Sequence, residues 1–295
     1  FSTWWTQVFC YDVWQKLITA AVPNTLGYGC YIINELVNVV MMGHAPHSDP
    51  SQLAAVGLGN LFQNFFLVSI GVGLISGLDV LASQAYGARQ LDAAASNLSQ
   101  CRVVVTIVFL IVSPILLISK EMLIFIGQDP KVAYWAGQYN KGTIFGILPA
   151  FHNESARRFL QNCDSPVPGT IIMCIASSLH VFWSYFFVFH LEMSTYGLGF
   201  ANSITWTTSS LLLNGYLYKN ARTYGFEPRN LFFVSGGLTG IWNYLKIAAP
   251  CVLRTWSQWW YDNITTVLVG YLGTHALAAH VSLSSLSTLL FMFAY

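Results

Sequence analysis

LAAVGLGNLFQNFFLVSIGVGLISGLDV, residues 53–80, contains one charged side chain, Asp79, and that stands beside its last position. A helix needs about 20 mostly apolar residues to cross the hydrocarbon of a bilayer, and this stretch exceeds that length. Further spans of the same kind are expected at 17–43, 102–124, 132–153, 167–190, 197–218, 244–272 and from 277 to the end. Proline and glycine clusters fall between or at the edges of spans, in HAPHSDPS (44–51), GQDP (127–130) and DSPVPG (164–169). Composition agrees, because charged residues make up 8% of the 295 residues, against about 25% in soluble domains. Thirteen Lys and Arg cannot coat a soluble globule of this size, and they exclude a nucleic-acid binder that relies on a basic face. An apolar share of 55% excludes a disordered chain. The expected fold class is an all-α, multi-pass membrane protein whose surroundings are the lipid bilayer.

Lysine and arginine placement sets the expected orientation. With the N-terminus cytoplasmic, Lys16, Arg89, Arg102, Arg157, Arg158, Lys219, Arg222, Arg229 and Lys246 lie at the inner side, against Lys120 and Lys131 outside. The chain then divides into a cytoplasmic end (1–16), a first lobe of six spans (17–218), a cytoplasmic loop (219–243) and the start of a second lobe (244–295). Phe1 is not a methionine and Tyr295 lies inside an apolar run, so both ends are expected to be cut. The six cysteines are scattered, with no CxxC. The loop His44-Ala-Pro-His47 with Asp49 resembles a metal site only loosely, and neither a metal nor a cofactor is expected.

The second lobe is inferred from an internal repeat. Span one runs from Pro23 to Gly43 and span seven from Pro250 to Gly270, each a separation of 20 residues. The following spans open alike, Leu53-Ala54-Ala55-Val56 against Leu277-Ala278-Ala279-His280. Both copies run the same way, so the repeat is parallel, and the second copy contains only its first two helices. Glu35 and Asp262 each lie 12 residues after their proline. An acid at the centre of a bilayer helix costs about 2.5–3.5 kcal/mol on insertion scales, so both are candidate ion-coupling carboxyls. Tyr31, Glu35 and Asn38 share one helical face, and Arg254, Gln258 and Asp262 share another. The crowded aromatics Trp259, Trp260 and Tyr261 are candidates for stacking or cation–π contact with a flat or cationic organic substrate. Asn60, Gln63 and Asn64 form a stripe suited to bonding a neighbouring helix.

LDVLASQAYGARQ at 78–90 resembles the signature at the inner end of span two in the multidrug and toxic compound extrusion (MATE) family. GQDPKVAYWAGQY (127–139), RRFLQNCDSPVPG (157–169), IAAPC (247–251) and VMMGH (40–44) resemble that family's segments in order and spacing, in their eukaryotic form. The resemblance implies a transporter of two six-helix lobes, of which this chain would hold the first lobe and two helices more. It implies export of small organic cations or amphipathic compounds in exchange for protons or Na⁺, by a protein that is a monomer when complete. It also implies residence in the plasma membrane or a vacuolar or organellar membrane, and no enzymatic activity. Asp79, Gln84 and Gly87 match the signature residue by residue and are expected to shape the turn that ends span two. The pattern departs in span seven, where the family's two acids are replaced by Gln258 and Asn263, and in span one, where Asn38 stands in the place of a prokaryotic aspartate. The expected substrate contacts are therefore Gln258, Asn263, Asn38, Tyr31, Trp259, Trp260 and Tyr261, with Asp262 and Glu35 as coupling acids. Two other readings compete: a non-transporting membrane subunit that lost its coupling acids, and a lipid flippase of related architecture. The flippase is disfavoured because, apart from basic residues at the span edges, Arg254 and Lys141 are the ones available for phosphate groups.

Overall fold

The computed structural model describes residues 11–46, 49–231 and 236–270, with Val234, Leu283 and Ser287. Helix α1 spans Tyr11–Gly43, α2 Pro50–Gly87 and α3 Leu91–Leu117. After a short helix at Ser119–Phe125 come α4 (Pro130–Asn162), α5 (Val167–His190) and α6 (Ser194–Asn220). A single turn at Pro228–Leu231 precedes α7 (Gly237–Gly270). Apart from Leu283 and Ser287, the expected eighth span lies outside the described residues, as do the first ten residues.

Each expected span within the described residues is helical, with 102–124 divided between α3 and the short helix Ser119–Phe125, and most extend past their apolar windows. The largest difference is α3, which begins at Leu91 and not near residue 102. Its first turns, LDAAASNLSQ, are small and polar, yet Ala94, Ala95, Leu98 and Ser99 are buried against the bundle. Helix α4 continues past 153 because Glu154, Arg157 and Arg158 neutralise one another inside the protein. Proline marks the starts. Asp49 accepts the Ser51 amide at 3.1 Å and Gln52 Oε1 accepts the Asp49 amide at 3.4 Å, a capping box ahead of Pro50. The Asp49 carboxylate also pairs with Lys131, so it serves as a cap and ion-pair partner.

Small residues decide how the helices meet. A Cβ on Gly142 of α4 would lie 2.4 Å from the Tyr196 carbonyl, and one on Gly199 of α6 would lie 2.4 Å from the Tyr139 carbonyl. Backbones therefore touch at the α4–α6 crossing. Helix α7 meets α2 in the same way, through Gly73 against Val252 and Gly77 against Ala248. The buried Tyr244 hydroxyl seals that contact by donating to the Leu74 carbonyl at 2.7 Å.

Polarity is inverted relative to a soluble protein. Ile111, Leu211 and Phe145 are 65–72% exposed, whereas Asn38, Asn140, Thr143 and His180 are fully buried. By length and composition alone, α2, α3 and α5 are each able to cross a bilayer. Helix α2 carries a π turn at Asn64–Val68 and α5 another at Phe186–His190, widened turns of the kind found at functional positions.

Candidate functional site

The buried amides join one hydrogen-bonded chain across five helices. Asn60 of α2 donates through Nδ2 to Glu35 Oε2 of α1 at 2.6 Å. The Tyr139 hydroxyl of α4 donates to Asn60 Oδ1 at 2.8 Å and accepts from Asn202 Nδ2 of α6 at 2.9 Å. Asn38 Nδ2, back on α1, donates to Asn202 Oδ1 at 3.3 Å. The chain ends on α5, where His180 Nε2 lies 3.0 Å from Asn38 Oδ1 and 3.2 Å from Ser184 Oγ. His180 Nδ1 lies 2.9 Å from Thr205 Oγ1 of α6. Gln63 of α2 bonds Asn140 of α4 at 2.7 Å beside it.

Asn38, Tyr139 and His180 are fully buried, while Glu35 is only partly covered. The arrangement is thus a neutral polar interior that terminates in one reachable carboxyl. Tyr139 is its midpoint. Tyr139→Phe leaves Asn60 Oδ1 and Asn202 Nδ2 without a partner, each worth about 1–3 kcal/mol when unsatisfied in a buried site. A lower thermal midpoint than wild type in detergent is the expected result, and an unchanged midpoint would refute the network's structural role.

A second polar cluster ties α2 to α4 nearer the face where α1 begins. Arg158 Nη1 bonds Asp79 at 2.6 Å and its Nε bonds Glu154 at 2.8 Å. Arg157 holds Glu154 through Nε and Nη2 at 2.9 and 2.8 Å, with its guanidinium 4.8 Å from the centre of the Tyr28 ring. Asn162 adds a 3.1 Å bond to Asp79. Asp79 therefore bridges helices, a partner set that its place in the signature string does not disclose. The turn after α2 takes its left-handed residue at Arg89, φ 58°, and not at Gly87. The Gln84 carbonyl accepts the Ala88 amide there at 3.0 Å.

An aromatic seam runs where α2 meets α7. Trp260 stacks on Phe65 with centroids 4.4 Å apart and lies 4.5 Å from Trp256. Trp260 is thus packed between helices, Trp259 is half-buried, and Gln258 and Tyr261 are exposed. Tyr31 is 39% exposed, and Asn38 faces the interior of the six-helix lobe, away from any open surface. Asp262 and Asn263 belong to α7, but their side chains lie outside the described residues. Among the described residues no hydrogen bond joins Glu35 to Arg254 or Gln258, and no cluster of three potential metal ligands occurs. His44 Nδ1 instead meets the Val40 carbonyl at 2.9 Å, and His47 lies outside the described residues.

Sequence reasoning placed Glu35, Asn38 and Asn60 in polar stripes but missed Tyr139, His180, Asn202 and Thr205. His180 carried a usable signal, as an ionisable residue inside an apolar span. Tyr139 and Asn202 carried none, because single polar residues in α4 and α6 are indistinguishable there from others that only pack.

An apolar coat around a buried, hydrogen-bonded polar interior is the arrangement of a polytopic helical membrane protein. The family model described as MatE matches residues 26–186 and 250–295, and the chain belongs to that family of membrane transporters. It is similar to the uncharacterized transporter C323.07c of Schizosaccharomyces pombe, 28% identical over 282 residues, covering 94% of this chain and 51% of that protein. It is similar also to Protein DETOXIFICATION 39 of Arabidopsis thaliana, 26% identical over 278 residues, covering 92% of this chain and 54% of the relative. The chain spans about half the length of these relatives. Its fold is that of the crystal structure of the eukaryotic MATE transporter AtDTX14, with a TM-score of 0.81 at 19% identity, covering 95% of this chain and 61% of that one. The bent form of the Vibrio cholerae MATE transporter VcmN gives a TM-score of 0.81 at 17% identity, covering 95% of this chain and 62% of that one.

Proposed function

We propose that this chain forms the first lobe and the beginning of the second lobe of a secondary antiporter. In this reading it exports organic cations or other amphipathic drugs or metabolites by alternating access, in exchange for protons or Na⁺. The N-terminus faces the cytoplasm, and the membrane is the plasma membrane or that of a vacuole or other organelle. The observation that carries the reading is Glu35, a partly covered carboxyl held at 2.6 Å by Asn60 and backed by a hydrogen-bonded polar interior. A carboxyl so placed can gain and lose a proton without leaving other groups unsatisfied. Asp262, at the equivalent depth of α7, is the second coupling acid. Gln258, Asn263, Tyr31 and the aromatics Trp259, Trp260 and Tyr261 offer polar and flat surfaces to substrate, and Asn38 supports Glu35 from within.

The test is proton-driven efflux from vesicles containing the full-length protein, with Glu35→Gln and Asp262→Asn introduced singly. Each variant is expected to insert normally and to lose at least about tenfold in exchange rate, equivalent to roughly 1.4 kcal/mol. Wild-type exchange in Glu35→Gln would remove that residue from the mechanism. Absence of exchange in the unaltered protein would favour the non-transporting subunit, to which the amides Gln258 and Asn263 lend support.

A further inference from the structure

A cavity of about 520 Å³ opens where α3 begins, between the turn at Pro228–Leu231 and the first turns of α7. Its volume lies within the range of about 300–1,000 Å³ usual for small-molecule sites. None of the residues assigned above to coupling or substrate contact lines it. Helix α3 contributes Asp92 and Ser96 from one face, at i and i+4, with Asn97 alongside. Asn230 comes from the turn, and Thr239 and Asn243 come from α7. Asp92 is the only charged residue among the described lining residues, and no lining residue has an apolar side chain larger than that of alanine. The nearby base Arg102, further along α3, is held elsewhere, by Asn214 and by the Leu231 carbonyl at 3.3 Å.

Two amide nitrogens of this lining are already committed. Asn97 donates through Nδ2 to the Leu81 carbonyl at 3.3 Å, and Asn230 through Nδ2 to Asp92 Oδ1 at 2.7 Å. Both acceptors lack hydrogen, so neither amide can turn round and keep its bond. Asp92 Oδ1 also accepts the Glu227 amide at 3.2 Å, which fixes the carboxylate and leaves Oδ2 for another donor. Ser96 is buried, and its Oγ has no partner among the described residues. Other serines of these helices turn back to a carbonyl of their own helix, as Ser76 does to Val72 at 3.0 Å. Ser96 therefore gives up no bond when it rotates toward a ligand. What this wall offers is oxygen: Asp92 Oδ2, Asn97 Oδ1, Asn230 Oδ1 and a serine hydroxyl. We propose that the cavity binds a small soluble primary amine, as its ammonium ion, carrying further N–H or O–H donors. The ammonium meets Asp92, and the other donors meet the amide oxygens. A bare metal ion is a poor fit, since it needs oxygens at about 2.0–2.6 Å all round, and one carboxylate in this volume does not supply them. Lipid is a poor fit as well, because Asp92, Thr239 and Asn243 are exposed and there is no apolar groove for an acyl chain. The proposal does not rest on the reading of Glu35 as a coupling acid.

The test is calorimetric titration of the full-length protein in detergent with 1,4-diaminobutane, and with its N-permethylated analogue, which keeps the charge and has no N–H. Saturable binding of the diamine is expected, at least about tenfold tighter than that of the analogue, a difference of roughly 1.4 kcal/mol. Asp92→Asn is expected to weaken diamine binding at least about tenfold. Asp92 also holds the turn, so a second variant keeps the test clean. Asn243→Lys places a tethered ammonium at the exposed mouth, where substitutions leave stability within about 0.5 kcal/mol. It is expected to weaken the diamine at least about tenfold with an unchanged thermal midpoint. Absence of saturable binding to the unaltered protein overturns the proposal, as does equal affinity for the two compounds or wild-type affinity in Asn243→Lys. Glu35→Gln is expected to bind the diamine as wild type does. Loss of binding in that variant would place the amine on the exchange pathway and overturn the separate site, whereas loss of exchange alone would leave it standing.

Discussion

Gly199→Val is expected to abolish recovery of folded, monodisperse protein. At Gly199 even a single methyl would sit 2.4 Å from the Tyr139 carbonyl, 3.1 Å from the Thr143 amide nitrogen and 3.2 Å from the Gly142 Cα. All three obstacles are backbone, so no rotamer change relieves them. Overpacking that side chains absorb costs about 1–3 kcal/mol, and here α4 and α6 must separate instead. Separation also breaks the 2.9 Å bond from Asn202 to Tyr139, and with it the midpoint of the polar chain. The control lies on the same helix: an added Cβ at Gly215 meets nothing within 4 Å. Gly215→Ala should leave the protein intact or stabilise it by up to about 1 kcal/mol through helix propensity. Size-exclusion elution and thermal unfolding in detergent separate the two variants, and a normal elution profile for Gly199→Val would show that the crossing is not close-packed.

Arg158→Met is expected to destabilise the protein, by less than the about 3–5 kcal/mol usual for a fully buried ion pair, because the Asp79 side chain is 36% exposed. The Arg158 side chain is 8% exposed and serves both Asp79 and Glu154. Glu154 keeps Arg157 after the substitution, but Asp79 keeps only Asn162. The second substitution therefore decides the cause: Asp79→Asn combined with Arg158→Met should recover part of the loss, because no charge is then left unpaired. A double variant as unstable as the single one would assign the effect to lost packing of the arginine stem.

How much of this was legible beforehand varied with distance along the chain. Span 53–80 announced α2 because bilayer helices are apolar over a fixed length, and the proline-rich connections separated its neighbours. The start of α3 was hidden, since LDAAASNLSQ is too polar for a hydropathy reading yet helical and buried in the packed bundle. At the site, Glu35 stood out as a charge in an apolar run, whereas its supporting network depends on which helices touch. Asn60 was visible as part of a stripe, but its link to Tyr139 joins residues 79 positions apart. Arg102, Arg157 and Arg158 illustrate the same limit. Counted as loop charges for orientation, they are in fact buried, so orientation rests more on the exposed Arg89, Lys219, Arg222, Arg229 and Lys246.

The contact between α2 and α7 bears on how the protein is made. Among the described helices α7 is a reluctant entrant into lipid, for it carries Lys246, Arg254 and Asp262 along its length. By the time it leaves the ribosome, however, α2 has already been synthesised, with Gly73 and Gly77 forming a furrow fitted to Val252 and Ala248. A nascent helix that would partition poorly by itself thus meets a waiting protein surface, and the earlier half of the polypeptide acts as an insertion template for the later half.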